Sequence, residues 1–278
     1  MLTEEHRKQF DQEGYVVVAG LFSATEIDRY REHYMQLRKH GSYTGDFAGV
    51  DANSSDPLKR YPRMIHMHRW DQISLDWVID QRINACLSGL LGAEPYAVQT
   101  MLYFKPAGAR GQALHQDNFY LRAQPGTCVA AWMAIDPCDE ANGCIQVVPG
   151  SHRWPLLCTI KADTNISFTD VTVPIPEGTP VVPVIMQPGD VLFFNGQIVH
   201  GSFPNTTTDR FRRALIGHYI QGEAQQVAQF YHPVLKMNGE PLELEVSSGG
   251  GSCGVWVEHD DALVIEMAGT EAVVRKHE

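Results

Sequence analysis

The property of this sequence that most constrains its fold is a change in side-chain periodicity near residue 95. Before that point, apolar residues recur at steps of three and four, which is the spacing of one helix face. From Pro95 onward they alternate with a period of two, as in β-strands. Helices that precede strands, without βαβ alternation, favour a sandwich or barrel of antiparallel strands over a parallel α/β fold.

The predicted strands are short, and turn sequences rich in Gly, Pro and Asn separate them. A last strand-like run, 262–267, follows a Gly- and Ser-rich stretch at 247–254 that has the composition of a flexible linker. The remaining strand-like runs occupy residues 15–19, 99–104, 128–135, 144–149, 179–186, 190–195 and 212–220.

The N-terminal third contains two helix signals. Ser23 begins a capping box, which predicts a helix from there to about Lys39. A second amphipathic helix is predicted over residues 75–90, with Gly92 after its end. The 41–62 stretch between them has loop composition, and a loop of that length is usually either a lid over a site or disordered.

The acidic balance of the chain narrows its partners. Its 278 residues carry 22 lysines and arginines against 33 aspartates and glutamates, a formal charge of 22 − 33 = −11. Such a charge disfavours nucleic acid and anionic membranes as partners. No apolar run has the length of a membrane span and no signal peptide begins the chain, so we expect a soluble cytoplasmic protein. Its six cysteines, none in a CxxC pair, are then expected to be buried reduced thiols, not disulfides or zinc ligands.

A metal site is predicted from the segment LHQDNFYL. His115 and Asp117 lie two residues apart, and in a strand such residues point to the same face, so both can reach one ion. An imidazole and a carboxylate together suit Fe(II). His200, in PGDVLFFNGQIVHGS, is the best candidate for a third ligand. Two histidines and one carboxylate would hold a metal from one side and leave the opposite side open.

Other histidines share part of this pattern. His66 and His68 have the same spacing but lie in a helix or loop context, which favours packing or substrate-facing roles. His152 has the context of a loop cap. His218 lies in the middle of a predicted strand, on the same face as Arg212, so it is a candidate for contact with a ligand residue and not for the metal itself.

An arginine cluster, RFRRAL, begins the strand after His200. A guanidinium binds a carboxylate through two parallel hydrogen bonds, so this cluster is a candidate anchor for the distal carboxylate of 2-oxoglutarate. Chemistry alone does not separate Arg212 from Arg210 and Arg213.

The ordered blocks of this sequence resemble the phytanoyl-CoA dioxygenase-like family of Fe(II)/2-oxoglutarate oxygenases, which also includes the ectoine hydroxylases. The resemblance extends from about Thr3 to Tyr219, in the blocks FDQEGYVVVAGLFSATEI, YFKP, LHQD, WMAIDPCDEANGCIQVVPGSH, QPGDVLFFNGQIVHGS and FRRALIGHY. It implies a mainly β fold with flanking helices, a double-stranded β-helix (jelly roll, cupin-like). It also implies a single oxygenase domain over 1–278, divided into helical support (1–94), jelly-roll core (95–221) and C-terminal extension (222–278).

The same resemblance implies roles for individual residues. The implied iron ligands are His115, Asp117 and His200, and together with Arg212 they form the implied catalytic set. Arg212 is the implied binding partner of the distal carboxylate of 2-oxoglutarate, and the Ser202 hydroxyl is expected to bind the same carboxylate. The other positions expected to contact 2-oxoglutarate or line its pocket are Gln99, Met101, Tyr103, Gln116 and Trp132.

The implied activity is that of an Fe(II)- and 2-oxoglutarate-dependent dioxygenase. Such an enzyme uses O2 to hydroxylate an unactivated C–H bond of a small organic or natural-product substrate, and it releases succinate and CO2. The alternatives are the same chemistry on an acyl-CoA, a desaturation or epoxidation, and a non-redox cupin-type metal enzyme. The motifs specify neither the substrate nor the oligomeric state. The substrate-facing candidates are Tyr61, Arg63, His66, His68, Arg69, Asn118, Phe119 and Tyr120.

Overall fold

The computed structural model describes residues 2–43, 46, 49–248, 252–260 and 262–268. The helices of this part of the chain are α1 (Glu4–Glu13), α2 (Ala24–Lys39), α3 (Pro57–Arg60), α4 (Gln72–Val78), α5 (Gln81–Leu91) and α6 (Asn118–Leu121), with short 3-10 helices at Met67–Arg69, Ser151–Arg153 and Gln229–Tyr231. The strands are β1 (Tyr15–Val18), β2 (Met64–Ile65), β3 (Pro95–Tyr103), β4 (Gln112–His115), β5 (Cys128–Ala134), β6 (Ile145–Val147), β7 (Ile160–Lys161), β8 (Val171–Thr172), β9 (Val182–Pro183), β10 (Val191–Asn195), β11 (His200–Ser202), β12 (Ala214–Gln221), β13 (Gln226–Val227), β14 (Val234–Lys236), β15 (Pro241–Leu242), β16 (Glu245–Val246), β17 (Gly254–His259) and β18 (Ala262–Met267).

Two antiparallel sheets form the centre of the molecule. The larger has the strand order β1-β10-β5-β12-β3-β14-β15, with β2 added beside β3. The smaller has the order β4-β11-β6-β9. Because neighbours in each sheet are distant in sequence, the strands cross between the two sheets, as the predicted double-stranded β-helix requires.

Side-chain alternation along β5 shows how the larger sheet separates two cores. Ala131 and Met133 belong to the core between this sheet and the helices. Trp132, one residue away from each, belongs to the core between the two sheets, where it packs with Ile145 of the smaller sheet. A fully buried strand therefore fills both layers, because successive residues of a strand point to opposite faces.

The helices support the outer face of the larger sheet. Trp77 of α4 is fully buried and its indole N–H donates to the Met133 sulfur at 3.3 Å. Tyr34 of α2 is buried and hydrogen-bonds to the Ser74 hydroxyl at 2.8 Å. The predicted capping box is confirmed, since the Ser23 side chain accepts from the backbone of Glu26. These contacts make the larger sheet a fixed wall for whatever lies on its other face.

The prediction of one helix over residues 75–90 is wrong, because the chain forms α4 and α5 with a break at Asp80. Asp80 leaves the helical region (ψ 134°) and its carboxylate caps α5 by accepting from Arg82 N. The periodicity continues across the break because both helices bury apolar residues against the same sheet. Gly92, with φ +68°, ends α5 as predicted.

The strand predicted over 179–186 is much shorter in the structure, where β9 contains two residues. Pro180 and Pro183 have no backbone N–H to donate, so proline limits ladder pairing along this segment. The other predicted strands occur within a few residues of their expected bounds.

The expectation that every cysteine is a reduced thiol is wrong for two of the six. Cys158 and Cys253 form a disulfide with their Cα atoms 4.8 Å apart, although they are 95 residues apart in sequence. The start of strand β17 lies beside residues 156–158. Gly254 N donates to Leu156 O at 2.7 Å, and Cys158 N donates to Gly254 O at 2.9 Å. The chain therefore brings the two cysteines together through tertiary contacts that leave no local sequence pattern. The remaining cysteines, Cys86, Cys128, Cys138 and Cys144, are free and buried as expected.

Two predicted segments fall partly outside the described residues. The 41–62 loop contains the short helix α3, but residues 44, 45, 47 and 48 lie outside them. The predicted linker, 247–254, includes residues 249–251, which also lie outside them. Among the helices described, none is long and apolar enough to cross a membrane.

Candidate active site

Three side chains that could hold a metal ion meet where the smaller sheet opens toward the larger one. His115 ends β4 and His200 begins β11, and the two residues are direct cross-strand partners, with ring centroids 4.2 Å apart. One ligand atom of each histidine and of Asp117 lies within 4.8 Å of the others, and all three residues are at least nine-tenths buried. Gly201 allows the close strand approach, because a Cβ there would lie 2.7 Å from the Gln112 carbonyl oxygen.

The route by which Asp117 reaches this cluster differs from the one that its spacing predicted. Strand β4 ends at His115, and Asp117 has helical dihedral angles (φ −63°, ψ −35°) at the start of α6. A turn, not strand alternation, therefore carries its carboxylate toward the histidines. One Asp117 carboxylate oxygen lies 3.4 Å from His115 Nε2 and 3.7 Å from His200 Nε2.

Backbone carbonyls fix the orientation of both imidazoles. His115 Nδ1 lies 2.9 Å from the Ala113 carbonyl oxygen, and His200 Nδ1 lies 3.1 Å from that of Ile198. An Nδ1–H that donates to a carbonyl leaves Nε2 with its lone pair, which is the form that binds a metal. The Gln112 amide nitrogen lies 3.0 Å from His115 Nε2, where it can donate to that lone pair.

The electrostatics of the cluster favour the deprotonated donor set that a divalent cation needs. Burial, and next the neighbouring His115, lower the pKa of His200 to about 4, so its imidazole is neutral near pH 7. Burial acts to raise the pKa of Asp117, but the adjacent His200 and the contact with His218 outweigh it and hold the pKa well below its usual value. The cluster thus presents the neutral His200 imidazole beside an ionised carboxylate.

His218 contacts the carboxylate of Asp117, one of the three residues of the candidate metal cluster. Its Nε2 lies 3.1 Å from the Asp117 oxygen that does not face the other histidines. The sequence predicted this kind of outer contact from the position of His218 in the strand, although a register shift follows it in β12.

The structure separates the three arginines that sequence chemistry left equivalent. Arg210 pairs with Asp139 at 2.7 and 2.9 Å, and Arg213 pairs with Asp136 at 2.8 Å through two of its nitrogens. Arg212 is 3% exposed, and its guanidinium lies 5.1 Å from the centre of the Trp132 ring.

Arg212 also offers donors to a ligand. Its Nε donates to the Gly143 carbonyl at 3.0 Å, but its buried Nη1 hydrogen-bonds to nothing in the described chain. A buried guanidinium nitrogen without an acceptor is costly, and a carboxylate would satisfy it.

Lys105 is a residue of this site that the sequence analysis did not single out. Its ammonium nitrogen donates to the Ser202 hydroxyl at 2.8 Å, and its side chain is buried. Burial, and next the charge of Arg212, lower the pKa of Lys105 well below its usual value. The only available signal was its place in the YFKP block, which the resemblance used as a whole.

Ser202 is left with one hydrogen-bond donor for a ligand. Its hydroxyl oxygen accepts from Lys105 Nζ at 2.8 Å and from Gln112 N at 3.2 Å. A hydroxyl has two lone pairs and one proton, so these contacts leave the proton to donate. Gly143 makes room for the lysine, since it has φ +87° and a Cβ there would lie 2.7 Å from Lys105 Cε.

A single cavity of about 390 Å³ connects the metal cluster to the arginine. It divides into an inner end between the two sheets, which contains Arg212 and Ser202, and a mouth formed by loops. The predicted site residues on its wall are Gln99, Met101, Tyr103, His115, Asp117, Trp132, His200, Ser202 and Arg212, and the mouth adds Arg63, Tyr120, Phe230 and Tyr231.

Gln116, which the resemblance placed among the cofactor contacts, points away from this cavity. Its amide nitrogen donates to the carbonyl of Gln197 at 2.8 Å and to that of Pro155 at 3.2 Å, and its oxygen accepts from Leu157 N at 2.8 Å. Gln116 therefore anchors the 155–157 loop, because its side chain points to the opposite side of the chain from His115 and Asp117.

Few of the predicted substrate-facing residues reach the cavity. Arg63 and Tyr120 line it. Phe230 and Tyr231 were missed because they belong to the C-terminal extension, which matched no pattern. The other candidates are not on the cavity wall, and Tyr61, for example, packs against Phe104 and Phe211.

Comparisons with known proteins agree with this geometry. A family model described as Phytanoyl-CoA dioxygenase (PhyH) matches residues 10–214. Phytanoyl-CoA dioxygenase 1 of Oryza sativa subsp. japonica is 25% identical over 257 residues, covering 80% of this chain and 90% of that protein. Multifunctional dioxygenase ausE of Aspergillus calidoustus is 27% identical over 233 residues, covering 80% of this chain and 74% of that protein.

Among solved structures, the epimerase SnoN in complex with Fe3+, alpha ketoglutarate and nogalamycin RO matches with a TM-score of 0.64 at 18% identity. The match covers 94% of this chain and 97% of that one, and it confirms the mainly β, double-stranded β-helix fold. Because the family model spans more than half of the sequence, this chain belongs to the phytanoyl-CoA dioxygenase family.

Proposed function

We propose that this protein is an Fe(II)- and 2-oxoglutarate-dependent dioxygenase that hydroxylates an unactivated C–H bond of a small organic molecule. The observation that carries the proposal is one buried cavity with two imidazoles and a carboxylate on one wall and the Arg212 guanidinium at its inner end. That pairing suits a metal that binds a 2-oxo acid whose distal carboxylate needs a cationic partner.

The residues fit both groups. His115, Asp117 and His200 would hold Fe(II) from one side, which leaves its other positions for the 2-oxo acid and for O2. Arg212 would bind the distal carboxylate, and Ser202 would donate its remaining proton to the same group. When bound, the iron and 2-oxoglutarate supply the oxidising chemistry, with succinate and CO2 as coproducts.

The protein itself positions and shields these groups. Trp132, Met101 and Ile216 form an apolar wall between the sheets, so the cosubstrate end excludes water. The Lys105 amine donates to the Ser202 hydroxyl. A carboxylate bound by Ser202 would lie close enough to favour the charged form of Lys105, although the serine would separate the two groups. Gln99 and Tyr103 of β3 line the same cavity and offer it polar side chains.

Succinate release under air with Fe(II) and 2-oxoglutarate tests the proposal. We expect Arg212→Gln to raise the KM for 2-oxoglutarate by about 10–100-fold, because it removes a charge-assisted bidentate contact. Arg210→Gln is the matched control, since Arg210 pairs with Asp139 on the surface and should leave KM unchanged. Succinate at the no-enzyme background with added Fe(II) would instead support a non-redox cupin-type enzyme.

A second candidate is the same chemistry on an acyl-CoA. Several relatives carry the name phytanoyl-CoA dioxygenase, and that observation favours it. Product analysis with free acids and their CoA thioesters separates the two, and it also distinguishes hydroxylation from desaturation or epoxidation.

We further propose that residues 1–278 form one oxygenase domain. Strands from all three predicted parts join the larger sheet, with β1 from the N-terminal part and β14 from the C-terminal extension. The proposed compartment is the cytoplasm. Cell fractionation tests it, since the protein should be recovered with a cytoplasmic marker enzyme, and recovery with an envelope or organelle fraction would contradict it.

A further inference from the structure

Three aromatic rings at the mouth of the cavity are not needed by the proposed metal or cosubstrate. Tyr120 belongs to α6, and Phe230 and Tyr231 belong to the last 3-10 helix. Tyr120 lies near the metal cluster, since its ring centroid is 6.3 Å from that of His115. A substrate whose reacting carbon reaches the metal would therefore lie against these rings.

The Phe230 ring offers a flat apolar surface to the mouth. His66 packs against it with centroids 4.7 Å apart, and Tyr231 meets it edge to face with centroids 5.3 Å apart. These neighbours fix the orientation of the ring, yet 52% of Phe230 remains exposed. A fixed ring with an exposed surface favours a flat ring as its partner, because an aromatic pair gains more than the buried area alone provides.

Tyr231 adds a hydrogen-bonding group to the same place. The residue is 7% exposed and lines the cavity, but its hydroxyl makes no hydrogen bond to any residue that the structure describes. Burial, and next the charge of Asp117, raise the pKa of Tyr231, so the hydroxyl keeps its proton. A buried hydroxyl without a partner is unfavourable, and an acceptor oxygen on a ligand would satisfy it.

The charges around the cavity argue against a cationic substrate. Among the described residues of its wall, Asp117 is the one acidic side chain, and the proposed metal would take it. An ammonium group would therefore enter a buried site without a carboxylate to pair with, which costs free energy. A neutral substrate that is bound by ring contacts and one hydrogen bond avoids this cost.

We propose that the substrate is a neutral, flat, ring-containing molecule with an acceptor oxygen such as that of a ketone. Its ring lies against Phe230, its oxygen accepts from the Tyr231 hydroxyl, and its reacting carbon extends past Tyr120 toward the metal cluster. Phe230 and Tyr231 are then specificity-determining residues. This inference rests on the proposed function and names the substrate class of the same site.

The test uses the full chain loaded anaerobically with Fe(II) and 2-oxoglutarate, and equilibrium dialysis measures the binding of three probes. The first, 2-acetylnaphthalene, has both a flat ring system and a ketone. The second, 2-isopropenylnaphthalene, has the same shape with a methylene group in place of the ketone oxygen. The third, 2-dodecanone, has a ketone and as many carbon atoms as the first probe, but in a flexible chain.

Tyr231→Phe removes only the hydroxyl. We expect it to weaken binding of 2-acetylnaphthalene by about 10-fold and to change binding of 2-isopropenylnaphthalene by less than about twofold. Tyr30→Phe is the matched control, because Tyr30 of α2 packs against Phe22 and does not line the cavity, so both affinities should stay unchanged. Equal losses for the two probes in Tyr231→Phe, or no loss for the ketone, would overturn the inference.

Phe230→Leu retains an apolar side chain but removes the flat ring. We expect it to weaken binding of both naphthalene probes by about 3–10-fold and that of 2-dodecanone by less than about twofold. A loss of the same size for the flexible ketone would overturn the preference for a ring.

A measurement on the wild-type protein decides the point if Tyr231→Phe does not fold. A hydrogen-bonded carbonyl absorbs in the infrared at a lower frequency than the same ketone in hexane, and we expect this shift for bound 2-acetylnaphthalene. An unshifted frequency, or no binding of this probe, would overturn the inference.

The charge-transfer absorption of the Fe(II)–2-oxoglutarate complex separates this inference from the proposed function. If the absorption forms but the variants do not discriminate among the probes as expected, the substrate inference fails and the function stands. If no absorption forms under these conditions, the proposed function fails, whatever the dialysis result.

Discussion

Two pairs of residues in the described part of this protein share the spacing of two, but only one of them contributes to the candidate metal cluster. His115 and Asp117 lie opposite His200, and the three side chains converge. His66 and His68 flank the start of a 3-10 turn, where His66 has φ +54° and its ring packs against Phe230. The difference teaches that a third suitable side chain on a paired strand, and not the spacing itself, distinguishes the candidate metal site.

The hydrogen bonds of the two pairs differ in the same way. In the first pair, His115 Nδ1 is oriented by a backbone carbonyl so that Nε2 faces the cluster. In the second, His68 Nδ1 contacts the Thr100 hydroxyl at 2.9 Å, and neither ring nitrogen of His66 hydrogen-bonds within the described chain. The second pair is therefore a buried neutral pair behind the mouth, and three experiments can sharpen the comparison.

The largest effect is expected at Asp117. Asp117→Ala removes the carboxylate of the cluster, so turnover-coupled succinate should fall to background and the protein should purify with little iron. His68→Gln, in the other pair, should retain iron and turnover. Full activity in Asp117→Ala would remove Asp117 from the ligand set.

An intermediate effect is expected at His218. His218→Phe removes the contact to the second Asp117 oxygen at 3.1 Å, and the loss of such an outer contact should weaken Fe(II) binding by about 10–100-fold. The measurement is competition for Fe(II) with a chelator. His152→Gln is the control because His152 contacts the Asp11 carbonyl on the surface. An unchanged iron affinity in His218→Phe would show that Asp117 needs no support from β12.

The smallest effect is expected at His68, in the pH dependence of the free energy of unfolding. Burial, and next Arg69, lower the pKa of His68 to about 4, whereas an unfolded histidine titrates near 6.5. As the pH falls, His68 is therefore protonated in the unfolded chain before it is protonated in the folded one. The folded state has its whole stability from neutral His68 above about pH 6.5, and this contribution is lost as the pH falls toward 4.

Between pH 7 and pH 5 this linkage amounts to about 2 kcal/mol for one such histidine. The free energy of unfolding of His68→Gln should therefore fall by about 2 kcal/mol less than that of the wild-type protein over the same interval. Denaturant titrations at the two pH values measure it, and equal pH slopes would show that folding does not lower the pKa of His68. His66, whose pKa is lowered to about 3 chiefly by burial, should behave in the same way.

Local patterns predicted the elements well, because they depend on nearby residues. The capping box at Ser23, the stop at Gly92 and the strands through Trp132 were readable from spacing and turn chemistry. What the sequence could not show depends on tertiary contacts. Asp117 reaches the cluster through a turn, and Arg212 is distinguished from its neighbours only by the acids that pair with them.

The missed parts of the site have the same cause. The side chain of Lys105, which follows β3 of the larger sheet, reaches Ser202 of the smaller sheet. No periodicity in the sequence indicates a contact of this kind. Phe230 and Tyr231 reach the mouth from a segment without a recognisable motif. Sequence spacing therefore located the three candidate metal ligands, whereas the residues at the mouth of the cavity became visible only in three dimensions.

The Cys158–Cys253 bond closes a covalent ring of chain around half of the site. His200, Ser202, Arg212 and His218 lie inside the ring by sequence, whereas His115 and Asp117 lie outside it. Closing a loop of this length restricts the unfolded chain by about 4–5 kcal/mol in the chain-entropy account. A protease that cuts once within the ring therefore yields no separate fragment, and the nicked chain runs as one species on a denaturing gel until a reductant opens it.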